Sequence, residues 1–224
     1  MYCLGQHKNT KEAPLDILRP HDLLWVDESL SLFHPQGLPE WVSCHWHPAL
    51  PLVVRRDEDT LSNIPVGIRG SRRCQRAAAW IKQDAIVKVV TPESLIADIA
   101  ALQRSPFAHY SPILTLIQLH RDLSAWRWGI TGSCGYALAT GIDVMHQDSD
   151  LDLVIFCPHP VLPSIYHSLS QRLQQFSCRV DVQIETPFGA FALNEWLRDG
   201  CAMLKTSRGP RLTDNPWHPL QETP

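Results

Sequence analysis

The sequence lacks several features that would place it quickly in a protein class. No apolar run reaches the roughly 18 residues of a membrane-spanning helix, and the polar first dozen residues lack the apolar core of a signal peptide. The formal net charge is only −3, which indicates neither a nucleic-acid binder nor a membrane binder. The seven cysteines (3, 44, 74, 134, 157, 178 and 201) form no C-x-x-C pair. Their odd number and scatter favour reduced thiols and a cytoplasmic protein over a disulfide framework.

The composition is that of a protein able to build a core, with 44% hydrophobic and 19% charged residues in 224. That length fits one large domain or two small ones. No repeat is visible, and the proline-rich stretch 105–112 is the strongest break in the chain. We therefore predict an N-terminal accessory, substrate-binding domain at 1–104, a linker at 105–112 and a C-terminal catalytic domain at 113–224.

The N-terminal part predicts strands at 50–54, 64–70 and 86–90, and helices at 71–83 and 91–102. Ser71 is placed to cap the first of these helices. Four arginines surround that predicted helix start: Arg69, Arg72, Arg73 and Arg76. Helix N-termini attract anions and guanidinium groups bind phosphate, so these arginines are candidate substrate-binding residues. The alternative is a solvated basic face.

The C-terminal part predicts helices at 112–123, 164–176 and 188–198. Strands are expected at 126–130, 150–156, 178–185 and 203–206. The fold class is therefore α+β: a mixed sheet flanked by helices, with a smaller α+β domain before it.

The strand at 150–156 begins with two carboxylates in a D-x-D pattern. Successive side chains of a strand point to opposite faces, so Asp150 and Asp152 share one face, about 7 Å apart along the chain. Magnesium prefers oxygen ligands, often one or two carboxylates completed by substrate phosphates. The pattern therefore indicates metal-assisted phosphoryl chemistry; the alternative is an acidic start of an edge strand.

Further polar residues downstream are candidates for the same site. In the strictly alternating segment 178–185, Asp181 lies on the polar face and is the candidate third metal-binding and catalytic carboxylate; Glu185 is the weaker candidate. The basic residues around a Gly-Pro turn are candidate phosphate ligands: Lys205, Arg208 and Arg211. The alternative for Asp181 is a solvent-facing side chain.

A Gly-Ser turn, Gly132-Ser133, precedes the D-x-D strand, and this combination resembles the nucleotidyltransferase superfamily. The resemblance implies that Gly132 and Ser133 offer backbone N–H groups and a hydroxyl to the β- and γ-phosphates. Sixteen residues separate Ser133 from Asp150, more than is usual in that superfamily. An inserted hairpin around 140–147 is expected to absorb the extra length.

A narrower resemblance covers residues 19–217, through the phrases RPHDLLWV, PVGIRGSRRCQRAAAW, GSCGYALATG, SDLDLVI, RVDVQIETPFGAFALNEWL and GPRLTDNPW. These are similar to the malonate decarboxylase holo-[acyl-carrier-protein] synthase family, also called phosphoribosyl-dephospho-CoA transferases. The resemblance implies a bacterial, Mg²⁺-dependent transferase. It would attach phosphoribosyl-dephospho-CoA, taken from 2′-(5″-triphosphoribosyl)-3′-dephospho-CoA, to a serine of the acyl carrier protein subunit of malonate decarboxylase.

Two other functions remain open from the sequence. A minimal nucleotidyltransferase that uses ATP would share the Gly-Ser turn and the D-x-D pattern, but it would not need the N-terminal domain. A non-catalytic binding partner of the carrier protein would retain these carboxylates without using them.

Overall fold

The structure is a computed structural model that describes residues 18–27, 32–59, 61–72 and 74–219. They form two β-sheets, of five and six strands, and each sheet has a hydrophobic core of its own. The predicted α+β class is confirmed. Within these ranges no helix is long and apolar enough to cross a membrane. The cysteines at 44, 74, 134, 157, 178 and 201 are free.

The N-terminal sheet is antiparallel, with strand order β4-β3-β2-β1-β5. Its strands are β1 (Leu23–Val26), β2 (Leu52–Val54), β3 (Ile64–Arg69), β4 (Arg76–Ile81) and β5 (Ile86–Val90), accompanied by the short helix α1 (Trp41–His45). Burial alternates along β2 and in the second half of β3. In β3, Val66 and Ile68 are buried and their neighbours are less so, as expected of a sheet that covers a core with one face.

The helix predicted over residues 71–83 is wrong. Those residues form a hairpin loop followed by β4, which pairs with β3 along its whole length. Alanine and arginine favour helices, but by only a few tenths of a kcal/mol per residue, and cross-strand pairing overrides that preference. Gly70 closes the loop by donating its N–H to the carbonyl of Gln75 at 3.0 Å. The arginines predicted at a helix start therefore flank a hairpin turn instead, and Arg73 lies outside the described residues.

The C-terminal sheet has the order β11-β10-β9-β8-β7-β6. Its strands are β6 (Arg127–Ile130), β7 (Leu151–Phe156), β8 (Val180–Thr186), β9 (Gly189–Ala192), β10 (Ala202–Thr206) and β11 (Gly209–Thr213). The pair β7–β8 is parallel and the β6–β7, β8–β9, β9–β10 and β10–β11 pairs are antiparallel. The helices are α2 (Ile99–Arg104), α3 (Ser111–Asp122), α4 (Gly132–Thr140), α5 (Pro163–Leu173) and α6 (Leu193–Asp199).

The helices pack on one face of this sheet. Leu151, Leu153 and Ile155 of β7 are buried in the same core as Leu116 of α3 and Leu169 of α5. The parallel pair requires a crossover connection, and α5 lies in that connection. The predicted alternation of β8 is confirmed, because its burial alternates strictly from Val180 to Thr186, whereas in β7 Leu153, Val154 and Ile155 are all buried.

The polar face of the C-terminal sheet meets the N-terminal domain. Arg56 forms a half-buried ion pair with Glu185 of β8, and Arg208 binds Glu58 at 2.9 Å. The guanidinium of Arg19 lies 4.4 Å from the ring centroid of Phe156. Through these contacts, β7 and β8 lie against the N-terminal domain.

Several predicted elements differ in detail. The helix expected at 91–102 is divided into a 3₁₀ turn, Ser94–Ile96, and α2. The one expected at 188–198 begins as strand β9 before α6. Residues 141–150 contain no hairpin, because α4 and an irregular loop span the distance from Ser133 to Asp150. Strand β11 was not predicted.

The proline-rich stretch 105–112 does not separate the two cores. Ile96, Leu102 and Phe107, which lie before or within it, pack in the same core as the C-terminal sheet. The N-terminal core draws its buried residues from the segment that ends at Ala85.

Candidate functional site

A cleft of about 1010 Å³ opens between the two domains. This volume is at the upper end of the range for small-molecule sites, which suits a large ligand. The C-terminal wall carries the predicted Gly-Ser turn and both carboxylates of the D-x-D pattern: Gly132, Ser133, Asp150 and Asp152. The N-terminal wall carries basic residues, namely His21, Arg55, Arg69 and Arg76. The cleft therefore has an acidic and a basic side.

The Gly-Ser turn is the start of helix α4, and it is attached to strand β7. Thr131 donates its backbone N–H to the carbonyl oxygen of Asp152 at 2.9 Å. Gly132 has φ +64°, and a Cβ on it would lie 2.0 Å from Oδ2 of Asp152. Glycine is thus required both by the backbone conformation and by the close carboxylate. The turn brings the helix start, whose first N–H groups have no partner within the helix, beside Asp152.

Asp150 and Asp152 are half-buried on the same wall, on either side of the fully buried Leu151. Burial raises the pKa of Asp152, and the neighbouring charges of Asp181 and Asp150 raise it further. Arg179 and Lys205 act in the opposite direction. The carboxylates are therefore close enough to repel one another.

Asp181 lies beside Asp152 in the parallel register of β7 and β8. Its carboxylate is paired with Arg179, at 3.2 Å to Nε and 3.1 Å to a terminal nitrogen, and it is not among the residues that line the cleft. Glu185 is held by Arg56, so its carboxylate serves the contact between domains. Asp181 is thus the nearer of the two to Asp152, and its role as a third site carboxylate stays a prediction.

The candidate basic residues fall into two groups. Arg69 and Arg76 line the cleft, whereas Arg72 is exposed and does not line it. Lys205, Arg208 and Arg211 do not line it either. Lys205 still acts on the site, because its charge lowers the pKa of Asp152.

His21 is a cleft residue that the sequence analysis did not single out. Its φ of +77° is uncommon for a non-glycine residue and such strain clusters at functional sites. Its Nε2 lies 2.7 Å from the amide nitrogen of Gln183, whose oxygen accepts from Nζ of Lys205 at 3.0 Å. Lysine only donates, so this fixes the amide orientation and makes Nε2 of His21 the acceptor.

The environment of His21 keeps its imidazole neutral. Burial, together with the charges of Arg56 and Lys205, lowers its pKa to about 4. The contact with Gln183 joins residues 162 positions apart, so no local pattern in the sequence could have revealed it.

Comparison with known proteins gives a consistent result for both domains. A family model described as the phosphoribosyl-dephospho-CoA transferase MdcG N-terminal domain matches residues 19–92, and the model of the MdcG C-terminal domain matches residues 95–216. The chain belongs to the phosphoribosyl-dephospho-CoA transferase family. It is an enzyme of the transferase class.

Curated relatives named phosphoribosyl-dephospho-CoA transferase match the transferase over most of its length. One from Klebsiella pneumoniae (strain 342) is 51% identical over 201 residues, which are 89% of this chain and 96% of that protein. Another, from Azotobacter vinelandii, is 39% identical over 205 residues, 89% of this chain and 94% of that protein. A third, from Pseudomonas putida, is 40% identical over 206 residues, 89% and 95% of the two chains. No solved structure matches the chain.

The cleft carboxylates of this transferase suit a hard divalent cation. Among the residues that the structure describes, no group of three or more His, Cys, Asp or Glu side chains could hold a metal ion by itself. Mg²⁺ needs only one or two protein carboxylates when water and substrate phosphates complete its shell, so Asp150 and Asp152 suffice. A cation there would relieve the repulsion that helps raise the pKa of Asp152. Magnesium stays a prediction that these residues fit.

Proposed function

We propose that this transferase moves phosphoribosyl-dephospho-CoA from 2′-(5″-triphosphoribosyl)-3′-dephospho-CoA to a serine of the apo acyl carrier protein subunit of malonate decarboxylase. Pyrophosphate is the second product. The name of the relatives supports the transferred group, and the resemblance of the sequence motifs supports the acceptor. The observation that carries the proposal is the cleft itself, where carboxylates of one domain oppose arginines of the other.

In the proposed reaction, the serine oxygen forms a bond to the α-phosphorus. The bond from that phosphorus to the oxygen bridging to the β-phosphorus breaks, and its electrons leave with pyrophosphate. Such transfers need little covalent chemistry from the protein, because positioning and charge neutralisation supply most of the acceleration. When bound, Mg²⁺ would neutralise charge on the phosphate oxygens, and Asp150 and Asp152 would hold it.

Other residues of the C-terminal domain have separate tasks in this proposal. The hydroxyl of Ser133 and the first N–H groups of α4 bind the β- and γ-phosphates. Gly132 permits this close approach, since a side chain there would displace the carboxylate of Asp152. Asp181 would help to hold a second cation and would receive the serine proton. Lys205, held by Gln183, contributes positive charge to the same face.

The test is an incubation with Mg²⁺ and either triphosphoribosyl-dephospho-CoA or ATP, with and without the apo carrier. We expect a mass gain on the carrier equal to phosphoribosyl-dephospho-CoA and an equal amount of pyrophosphate. A carrier with its acceptor serine changed to alanine should gain no mass.

The other outcomes identify other functions. A mass gain from ATP would indicate a nucleotidyltransferase of a different kind. Carrier binding without any mass gain from either donor would indicate a non-catalytic partner. Either result would overturn the proposal.

A further inference from the structure

Two arginines of the N-terminal domain stand side by side on the wall of the cleft. Arg69 ends β3 and Arg76 begins β4, and the two are direct partners in the antiparallel register. The loop between them is braced by Gln75, whose side-chain oxygen accepts from the Ser71 hydroxyl at 3.1 Å and from the Arg72 N–H at 3.0 Å. The hairpin therefore holds the backbones of Arg69 and Arg76 side by side.

These two positive charges have no acidic partner within the described residues. None of the ion pairs there involves Arg69 or Arg76. By contrast, Arg55, which also lines the cleft, is paired with Asp57 at 3.1 Å. Burial and the charge of Arg76 both lower the pKa of Arg69. A pair of like charges, one of them half-buried, is unfavourable by itself and favours a bound anion.

The opposite wall limits the space for that anion. The guanidinium of Arg69 lies 4.8 Å from the ring centroid of Tyr136, which belongs to α4. Tyr136 is four residues, or about one helical turn, beyond Gly132. The guanidinium of Arg69 thus lies about one turn beyond the start of α4, which we assign to the triphosphate.

We propose that Arg69 and Arg76 form a subsite for a pyrophosphate group, and that this group is the pyrophosphate bridge within the dephospho-CoA part of the substrate. The inference rests on the proposed function, whose substrate carries two separate anionic groups. The catalytic wall already has a metal site and a helix start for the triphosphate. The bridge needs two cationic groups and no metal, and arginine suits a compact phosphate because its donors form a planar fork.

The binding of dephospho-CoA without magnesium, measured by titration calorimetry, tests the subsite apart from catalysis. Arg69→Gln and Arg76→Gln should each weaken binding about 10- to 100-fold, as expected for one charge-assisted hydrogen bond. Arg76→Lys keeps the charge but not the fork and should fall in between. Arg104→Gln is the matched control: Arg104 is exposed on α2 and does not line the cleft, so its Kd should equal that of the wild type. Melting curves verify that each variant is folded.

Two further titrations test which pyrophosphate group the arginines bind and whether a general basic face would explain the binding. Inorganic pyrophosphate represents the leaving group, which we assign to the catalytic wall. Its Kd in the presence of Mg²⁺ should therefore agree within twofold between the wild type, Arg69→Gln and Arg76→Gln. If Arg69→Gln and Arg76→Gln weaken the binding of inorganic pyrophosphate but not that of dephospho-CoA, the assignment to the bridge is overturned. A loss of dephospho-CoA binding by Arg72→Gln as large as that by Arg76→Gln would show a general basic face, and it too would overturn the subsite.

The carrier assay supplies the remaining control. If Arg76→Gln raises the KM for the carrier and leaves dephospho-CoA binding unchanged, the pair is a docking surface and the inference fails. If dephospho-CoA binding depends on both arginines but the wild type transfers nothing to the carrier, the subsite stands and the proposed function fails.

Discussion

The substitution Gly132→Ala tests whether the Gly-Ser turn and Asp152 form one catalytic unit. A Cβ on Gly132 would lie 2.0 Å from Oδ2 and 2.8 Å from Cγ of Asp152. Ordinary contacts are about 1.5 Å longer, so the carboxylate or the turn has to move by about 1 Å or more. A misplacement of that size in a catalytic group reduces the rate about a hundredfold. We therefore expect turnover to fall by about that factor.

The same substitution also places alanine at φ +64°, which costs roughly 1–2 kcal/mol for a residue with a Cβ. Gly200 provides a matched control, because it has φ +68° and no atom within 4 Å of its added Cβ. It follows α6 and does not line the cleft. Gly200→Ala should thus lose a similar free energy of unfolding and keep wild-type turnover.

The measurements are urea unfolding, followed by the fluorescence of the eight tryptophans, and the initial rate of mass gain on the carrier. Mg²⁺ is varied in the rate assay, since a displaced carboxylate should raise the concentration needed for half-maximal rate. The reasoning is refuted if the two variants are equally destabilised and equally active. It is also refuted if Gly132→Ala shows wild-type dependence on Mg²⁺.

The other predictions concern the carboxylates and His21. Asp152→Asn should lower the rate of transfer at least about a thousandfold, because charge stabilisation by a metal is worth several kcal/mol. The Tm of the metal-free protein should not fall. Near-normal turnover at saturating Mg²⁺ would contradict this prediction. Asp181→Asn should lower turnover and leave the Tm unchanged, whereas Glu185→Gln should chiefly lower the Tm, because it leaves Arg56 unpaired. If turnover falls more in Glu185→Gln than in Asp181→Asn, Asp181 is the wrong choice of third carboxylate. The lowered pKa of His21, about 4 against 6.5, gives stability that is present above pH 6.5 and lost as the pH falls through 4. His21→Asn tolerates the positive φ and has no imidazole to protonate. Between pH 7 and pH 4.5 its free energy of unfolding should therefore fall by about 2–3 kcal/mol less than that of the wild type. Equal urea curves for both proteins at both pH values would argue against a buried neutral imidazole.

The C-terminal domain was the more predictable part of the fold. Strict alternation in β8 and the D-x-D start of β7 define a core face and a polar face without any long-range information. Gly200, which adopts φ +68°, follows the last residue of α6, the usual place for glycine just past a helix end. In these segments the local preference and the tertiary structure agree.

The N-terminal domain shows where such reasoning fails. The segment 71–83 contains alanine, arginine and glutamine, which favour a helix, yet β3 recruits it as β4 through six paired residues. Intrinsic preferences of a few tenths of a kcal/mol per residue cannot compete with an adjacent strand that needs a partner. Because the segment is a strand, Arg72 lies in the hairpin loop and does not line the cleft. Arg69 and Arg76 do line it, from paired positions on β3 and β4.

The polar face of β8 joins the candidate site to the N-terminal domain. Asp181, Gln183 and Glu185 alternate along this face, about 7 Å apart. Asp181 lies beside Asp152, whereas Gln183 and Glu185 contact His21 and Arg56 of the N-terminal domain. The candidate carboxylate Asp181 and the two contacts between domains thus occupy alternate positions along one face of β8. A shift of the N-terminal domain would move the strand that carries Asp181 and would change the separation of the acidic and basic walls. The proposed chemistry and the proposed spacing of the two anion sites therefore both depend on β8.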